Sequence, residues 1–101
     1  MLKAGAARKN INPPPDVPHA GWGAQTHVFA DGVESDFYAT ALVIGGEQEL
    51  AVIIDLDVCS FSLEKTADIR AAVARALNTD ARNVRVSVSH THAGPMLWTS
   101  Y

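Results

Sequence analysis

The chain has 101 residues and a mass of 10.8 kDa, enough for one domain around one core. Hydrophobic residues make up 48 % and charged residues 19 %, a balance that excludes a disordered chain. Lys and Arg number 8 against 11 Asp and Glu; the net charge of −3 and the lack of a basic patch argue against nucleic acid as a partner.

The first strand is expected over Ala6 to Ile11. Pro13-Pro14-Pro15-Asp16-Val17-Pro18 comes next, and prolines that fix φ and remove backbone donors make it an extended loop. The loop runs through Gly21-Trp22-Gly23 to Gly32, and loops of that length in compact domains are usually functional or disordered. Tyr38 to Ile44 reads as a strand, Gly45-Gly46-Glu47-Gln48 as a turn and Leu50 to Val58 as the next strand, together an antiparallel hairpin. Leu50-Ala51-Val52-Ile53-Ile54 is apolar on both faces, which suits a central strand covered on both sides.

A helix is expected over residues 62–77. Ser62 caps it, Glu64 sits at the positive end of the dipole, and Asn78 stops it. Leu63, Thr66, Ile69, Val73, Ala76 and Leu77 make the inward stripe. Val84, Val86 and Val88 then alternate with Arg85, Ser87 and Ser89 as a half-buried strand. Strand, helix and strand form a β-α-β unit with parallel strands. The expected fold is α/β: a mixed sheet of about four strands, with a β-hairpin followed by a β-α-β unit. Residues 1–101 read as a single domain.

Ligands of open α/β sheets bind beyond the carboxyl ends of the parallel strands. One such end carries Asp55 and Asp57. The other runs into Ser89-His90-Thr91-His92-Ala93-Gly94-Pro95. Alternation points His90 and His92 the same way while the chain stays extended, so two imidazoles can approach one metal ion or one substrate group. Imidazole suits zinc, whose catalytic sites take three protein ligands and keep one position open. The plain alternative is that the histidines hydrogen-bond within a surface turn.

Asp57 reads as a ligand or a partner that orients a histidine, and Asp55 as a hydrogen-bond acceptor at a strand end; alternation puts both on one face. His19 and His27 read as solvent-facing loop residues. Trp22 either lines an apolar pocket or anchors its loop. Cys59 reads first as a small buried hydrophobe and second as a nucleophile. The only cysteine in the chain, it excludes an internal disulfide. No glycine-rich phosphate loop and no Gly-x-Ser-x-Gly elbow is present. The longest apolar run, Leu50 to Ile54, is too short to span a membrane, and the residues after Met1 do not form a signal-peptide core.

The run Val88-Ser89-His90-Thr91-His92-Ala93-Gly94-Pro95 resembles the Thr-His-Thr-His-Ser/Ala-Gly-Pro signature of neutral/alkaline, non-lysosomal ceramidases. Ala4 to Pro14 is similar to the opening strand and its turn, and Ala20-Gly21-Trp22-Gly23-Ala24 to a Gly-Tyr-Gly loop. Gly32 to Val43 and Ala51 to Val58 resemble the next two strands of that family. The likeness covers nearly the whole chain and the N-terminal part of the family's catalytic domain. It implies a zinc amidase that cleaves the N-acyl bond of ceramide or a related lipid-like amide.

By that likeness His90 is a zinc ligand, and His92 stands beside the metal and holds the substrate carbonyl or its oxyanion. Asp57 supports the site, and Gly21, Trp22 and Gly23 lie at the substrate entrance. The family's other ligands, a histidine, a glutamate and a tyrosine, come from far downstream. The expectation is that Tyr101 marks a cut and that a C-terminal region, or a second copy in a homo-oligomer, completes the site. The isolated chain is then inactive. The family also implies a secreted or membrane-associated protein. Met96-Leu97-Trp98 stands where the family has glycines, Thr40 where it often has Arg, and Ser35 where it often has His; these departures keep another amide or ester as an alternative substrate. A rival expectation is a non-catalytic binding or assembly module that uses Met96-Leu97-Trp98 as its apolar patch.

Overall fold

The computed structural model describes residues 1–19, 26–95 and Leu97. Its elements are β1 (Lys3–Asn10), β2 (Tyr38–Gly45), β3 (Leu50–Leu56), α1 (Leu63–Leu77), a 3-10 turn (Ala81–Asn83) and β4 (Val84–Val88). The sheet has four strands in the order β1-β2-β3-β4. β1 pairs antiparallel with β2, β2 antiparallel with β3, and β3 parallel with β4. This is the mixed α/β sheet expected, with the hairpin and the β-α-β unit in their places. The hairpin closes over Gly46–Glu49, where the Gly46 N–H donates to the Glu49 carbonyl at 3.0 Å.

The first strand starts three residues earlier than its apolar pattern indicates. Its burial gives the reason: every residue of β1 is exposed. An edge strand of this kind is held by its ladder to β2 and needs no apolar face, and Lys3, Arg8 and Lys9 guard it against edge pairing. Arg8 also lies over the Tyr38 ring, 3.7 Å from its centroid.

The core sits on one face of the sheet. Val52 is 1 % exposed, Val84 3 % and Ala74 5 %, with Val43, Ile54, Val73, Ala81 and Val86 packed around them. Among the described residues β3 is therefore not covered on both sides. Ile53 is 40 % exposed and Ile44 38 %, so the face opposite α1 is open among the described residues. An apolar run establishes only that either face tolerates burial; the single helix of the β-α-β unit covers one.

Helix α1 begins and ends where its caps lie. Ser62 Oγ accepts from the Lys65 N–H at 3.1 Å, and Asn78 takes a left-handed φ of 51°. The inward stripe is Thr66, Ile69, Arg70, Val73 and Ala74, all half-buried or buried. Leu63, Ala76 and Leu77 are exposed instead, Leu63 at 91 %. Leu63 and Leu77 are the end residues of the helix, beyond the strip of sheet it covers. Arg70 turns inward because its guanidinium has carbonyls to meet: Nε donates to Val84 O at 2.9 Å and Nη2 to Ala81 O at 2.7 Å. That ties the helix to the turn feeding β4.

Between β1 and β2 the described residues form no helix and no strand beyond one bridge, His19 to Pro95. Asn12 closes the base of this loop. Its Nδ2 donates to Asp36 at 2.7 Å, and its Oδ1 accepts from the Phe37 N–H at 2.7 Å. No helix among the described residues is long and apolar enough to cross a membrane.

Candidate metal centre

β3 and β4 run parallel, so their carboxyl ends meet at one edge of the sheet. The segments just beyond those two ends build the site. After β3 the chain bends at once: the Val58 N–H donates to Leu56 O at 2.9 Å, and Ser89 beyond β4 donates to the same carbonyl at 3.0 Å. The tight turn around Asp57 delivers Cys59 to the end of β4, where it is only 3 % exposed.

The histidine segment is not extended. β4 stops at Val88, and His90 has a left-handed φ of 60°. A non-glycine residue held there stores backbone strain, and such strain clusters at functional sites. The two imidazoles nevertheless meet. His90 Nε2 and His92 Nε2 are 3.2 Å apart, and the rings stand edge to face with centroids at 4.7 Å. Strand alternation is thus not the cause of their convergence; the kink at His90 is.

Cys59 completes the group. Its Sγ lies 3.7 Å from His90 Nδ1 and 4.0 Å from His92 Nε2. One donor atom from each of Cys59, His90 and His92 lies within 4.8 Å of the other two, so the group can hold a metal ion. The donor chemistry fits zinc. Tetrahedral bonds of zinc to sulfur and to imidazole put neighbouring donors about 3.3–3.6 Å apart. His90 Nδ1 is also 2.9 Å from the Cys59 carbonyl oxygen. Donating its N–H there leaves Nε2, the atom nearest His92, as the ligating nitrogen.

The two aspartates part ways. Asp55 Oδ1 accepts from Ser87 Oγ on β4 at 3.2 Å, the strand-end acceptor expected. Asp57 lies past the end of β3, so alternation no longer sets its direction. Its Oδ2 accepts from the Tyr38 N–H on β2 at 2.9 Å, while its own N–H donates to the Tyr38 carbonyl at 3.0 Å. These bonds clamp the bend that carries Cys59. Asp57 lines a small apolar cavity of about 380 Å³ against Phe61 and Ile69, whereas His92 lines a different one.

That other cavity is a cleft of about 760 Å³, a size common to small-molecule sites. Its walls include Pro13, Pro14, Pro15, Val33 and Phe37, with His92 and Ala93 on one side. His19, half-buried, and His27, exposed as expected, line it too. Gly21, Trp22 and Gly23 lie outside the described residues, and so do Met96 and Trp98. Val28, Phe29 and Val33, on the same loop, are 54 %, 49 % and 66 % exposed. Gly94 is buried against Phe37, and a Cβ there would come within 2.8 Å of Cε2. The close approach fixes the segment that carries His92.

Cys59 is the member of the group that the sequence does not assign to a metal. Its signal is positional: it stands just past the carboxyl end of the strand parallel to the one feeding the histidines. No protein-family model matches the chain, and no curated protein matches it.

Proposed function

We propose that the chain carries the metal-binding part of a zinc-dependent amide hydrolase, one that acts on an N-acyl lipid such as ceramide. The observation that carries this reading is the pair of facing imidazoles, His90 and His92, beside a cleft of about 760 Å³ with proline, valine and phenylalanine in its walls. His90 holds the metal through Nε2, and His92 ligates beside it at the cleft wall. The metal, when bound, supplies Lewis acidity that polarises an acyl carbonyl and lowers the pKa of water. The apolar wall and the exposed Val28, Phe29 and Val33 suit an acyl chain. Asp57 acts at a distance, by holding the bend between β3 and Cys59 through the Tyr38 backbone. The likeness of Val88 to Pro95 to the neutral ceramidase signature agrees with amide chemistry.

The test is binding of a fluorescent N-acyl sphingoid amide by the zinc-loaded chain. Binding that disappears with a chelator and in His90→Ala supports the reading. Stoichiometric zinc with no binding of the amide overturns it and leaves a metal-binding module. A second reading, a binding module without chemistry, draws on the open sheet face at Ile44 and Ile53. It predicts that His90→Ala leaves every property but stability unchanged.

A further inference from the structure

We propose that Cys59, as its thiolate, is a third protein ligand to the metal held by His90 and His92, which makes the site one for zinc or a similarly soft cation. The inference rests on the metal reading above and adds a ligand that the ceramidase likeness does not assign.

Position comes first. Cys59 Sγ is 4.0 Å from His92 Nε2, which is itself 3.2 Å from His90 Nε2, so His92 stands between the other two donors. Sulfur and imidazole on one tetrahedral zinc are separated by about 3.6 Å. The widest separation in the group, up to 4.8 Å, closes to that value with side-chain shifts of about 1 Å. Burial agrees: Cys59 is 3 % exposed, His92 half-buried and His90 exposed. The sulfur closes the inner side of the site, and the imidazoles border solvent and the cleft.

Cys59 also serves through its backbone. Its carbonyl oxygen lies 2.9 Å from His90 Nδ1 and fixes which nitrogen of that ring is left to bind. The same bond argues against the rival role, a cysteine nucleophile activated by His90. Nδ1, the His90 nitrogen 3.7 Å from the sulfur, already engages its proton with the carbonyl. A side chain so deeply buried also cannot reach a substrate carbonyl.

The donor set selects the ion. Two neutral imidazoles and one thiolate are borderline to soft, poor partners for magnesium, calcium or manganese and good ones for zinc. Three protein donors are also what a catalytic zinc takes while keeping a fourth position open. The site then draws all three from this chain.

Cobalt(II) is the probe, because a thiolate bonded to it gives an intense near-ultraviolet charge-transfer band that imidazole and water do not. The wild-type chain loaded with cobalt is expected to show the band. Cys59→Ser is expected to lack it and to bind zinc about 100-fold more weakly or worse, since loss of outer partners alone costs 10–100-fold. Stoichiometric cobalt in the wild type without the band overturns Cys59 ligation and leaves the two-imidazole site standing. So does a folded Cys59→Ser that binds zinc as tightly as wild type. Failure of the wild type to bind either metal overturns both. The wild-type spectrum decides even where the variant does not fold.

Discussion

The backbone at His90 offers a measurement that needs no metal. Its φ of 60° lies in the left-handed region. A residue with a Cβ costs roughly 1–2 kcal/mol there. Glycine escapes that cost but gives up about 0.5–1 kcal/mol through its extra freedom in the unfolded chain. His90→Ala and His90→Gly both delete the imidazole and its bond to the Cys59 carbonyl. Their difference therefore isolates the backbone. The difference spans about 0–1.5 kcal/mol in favour of glycine, centred on about 0.8 kcal/mol, which at 4–8 °C per kcal/mol for a chain this small is roughly 3–6 °C in Tm. Thermal unfolding followed by circular dichroism, with a chelator present, measures it. An alanine variant that melts above the glycine variant would refute the left-handed conformation, and with it the kink that brings the imidazoles together.

Three further outcomes rest on single contacts. Arg70→Met keeps the aliphatic stem and deletes the bonds to Ala81 and Val84, so urea unfolding should show a loss of about 2 kcal/mol; an unchanged midpoint would mean the guanidinium does not tie α1 to β4. Ser62→Ala removes the cap on the Lys65 N–H and should cost about 1 kcal/mol in the same urea titration, and Ser62→Gly clearly less. Gly94→Ala sets a methyl group against Phe37 and should cost about 1–3 kcal/mol while also weakening metal binding through His92. Wild-type zinc affinity in that variant would show that the Phe37 contact does not position the histidine segment.

The elements that carry their own punctuation are legible in the sequence. Ser62 and Asn78 bound α1, Gly46 turns the hairpin, and valines at alternate positions mark β4. β1 is legible only in part, because an exposed edge strand has no apolar face to advertise it. The covering of β3 is not legible, since an apolar run does not say how many faces find a partner. At the site, His90 and His92 stand out by type and spacing, yet the geometry that joins them is a left-handed kink that alternation does not encode. Cys59 lies 31 residues from His90 in sequence, and only the parallel pairing of β3 with β4 makes them neighbours.

The proposed metal centre requires that Cys59, His90 and His92 together hold a metal ion. Zinc content per chain, measured after gel filtration in parallel with His90→Ala and His92→Ala, tests this most directly. Close to one zinc per wild-type chain is expected, with loss of it in both variants and the fold retained. A folded wild-type chain that elutes without zinc and takes up none when it is supplied would contradict the metal centre.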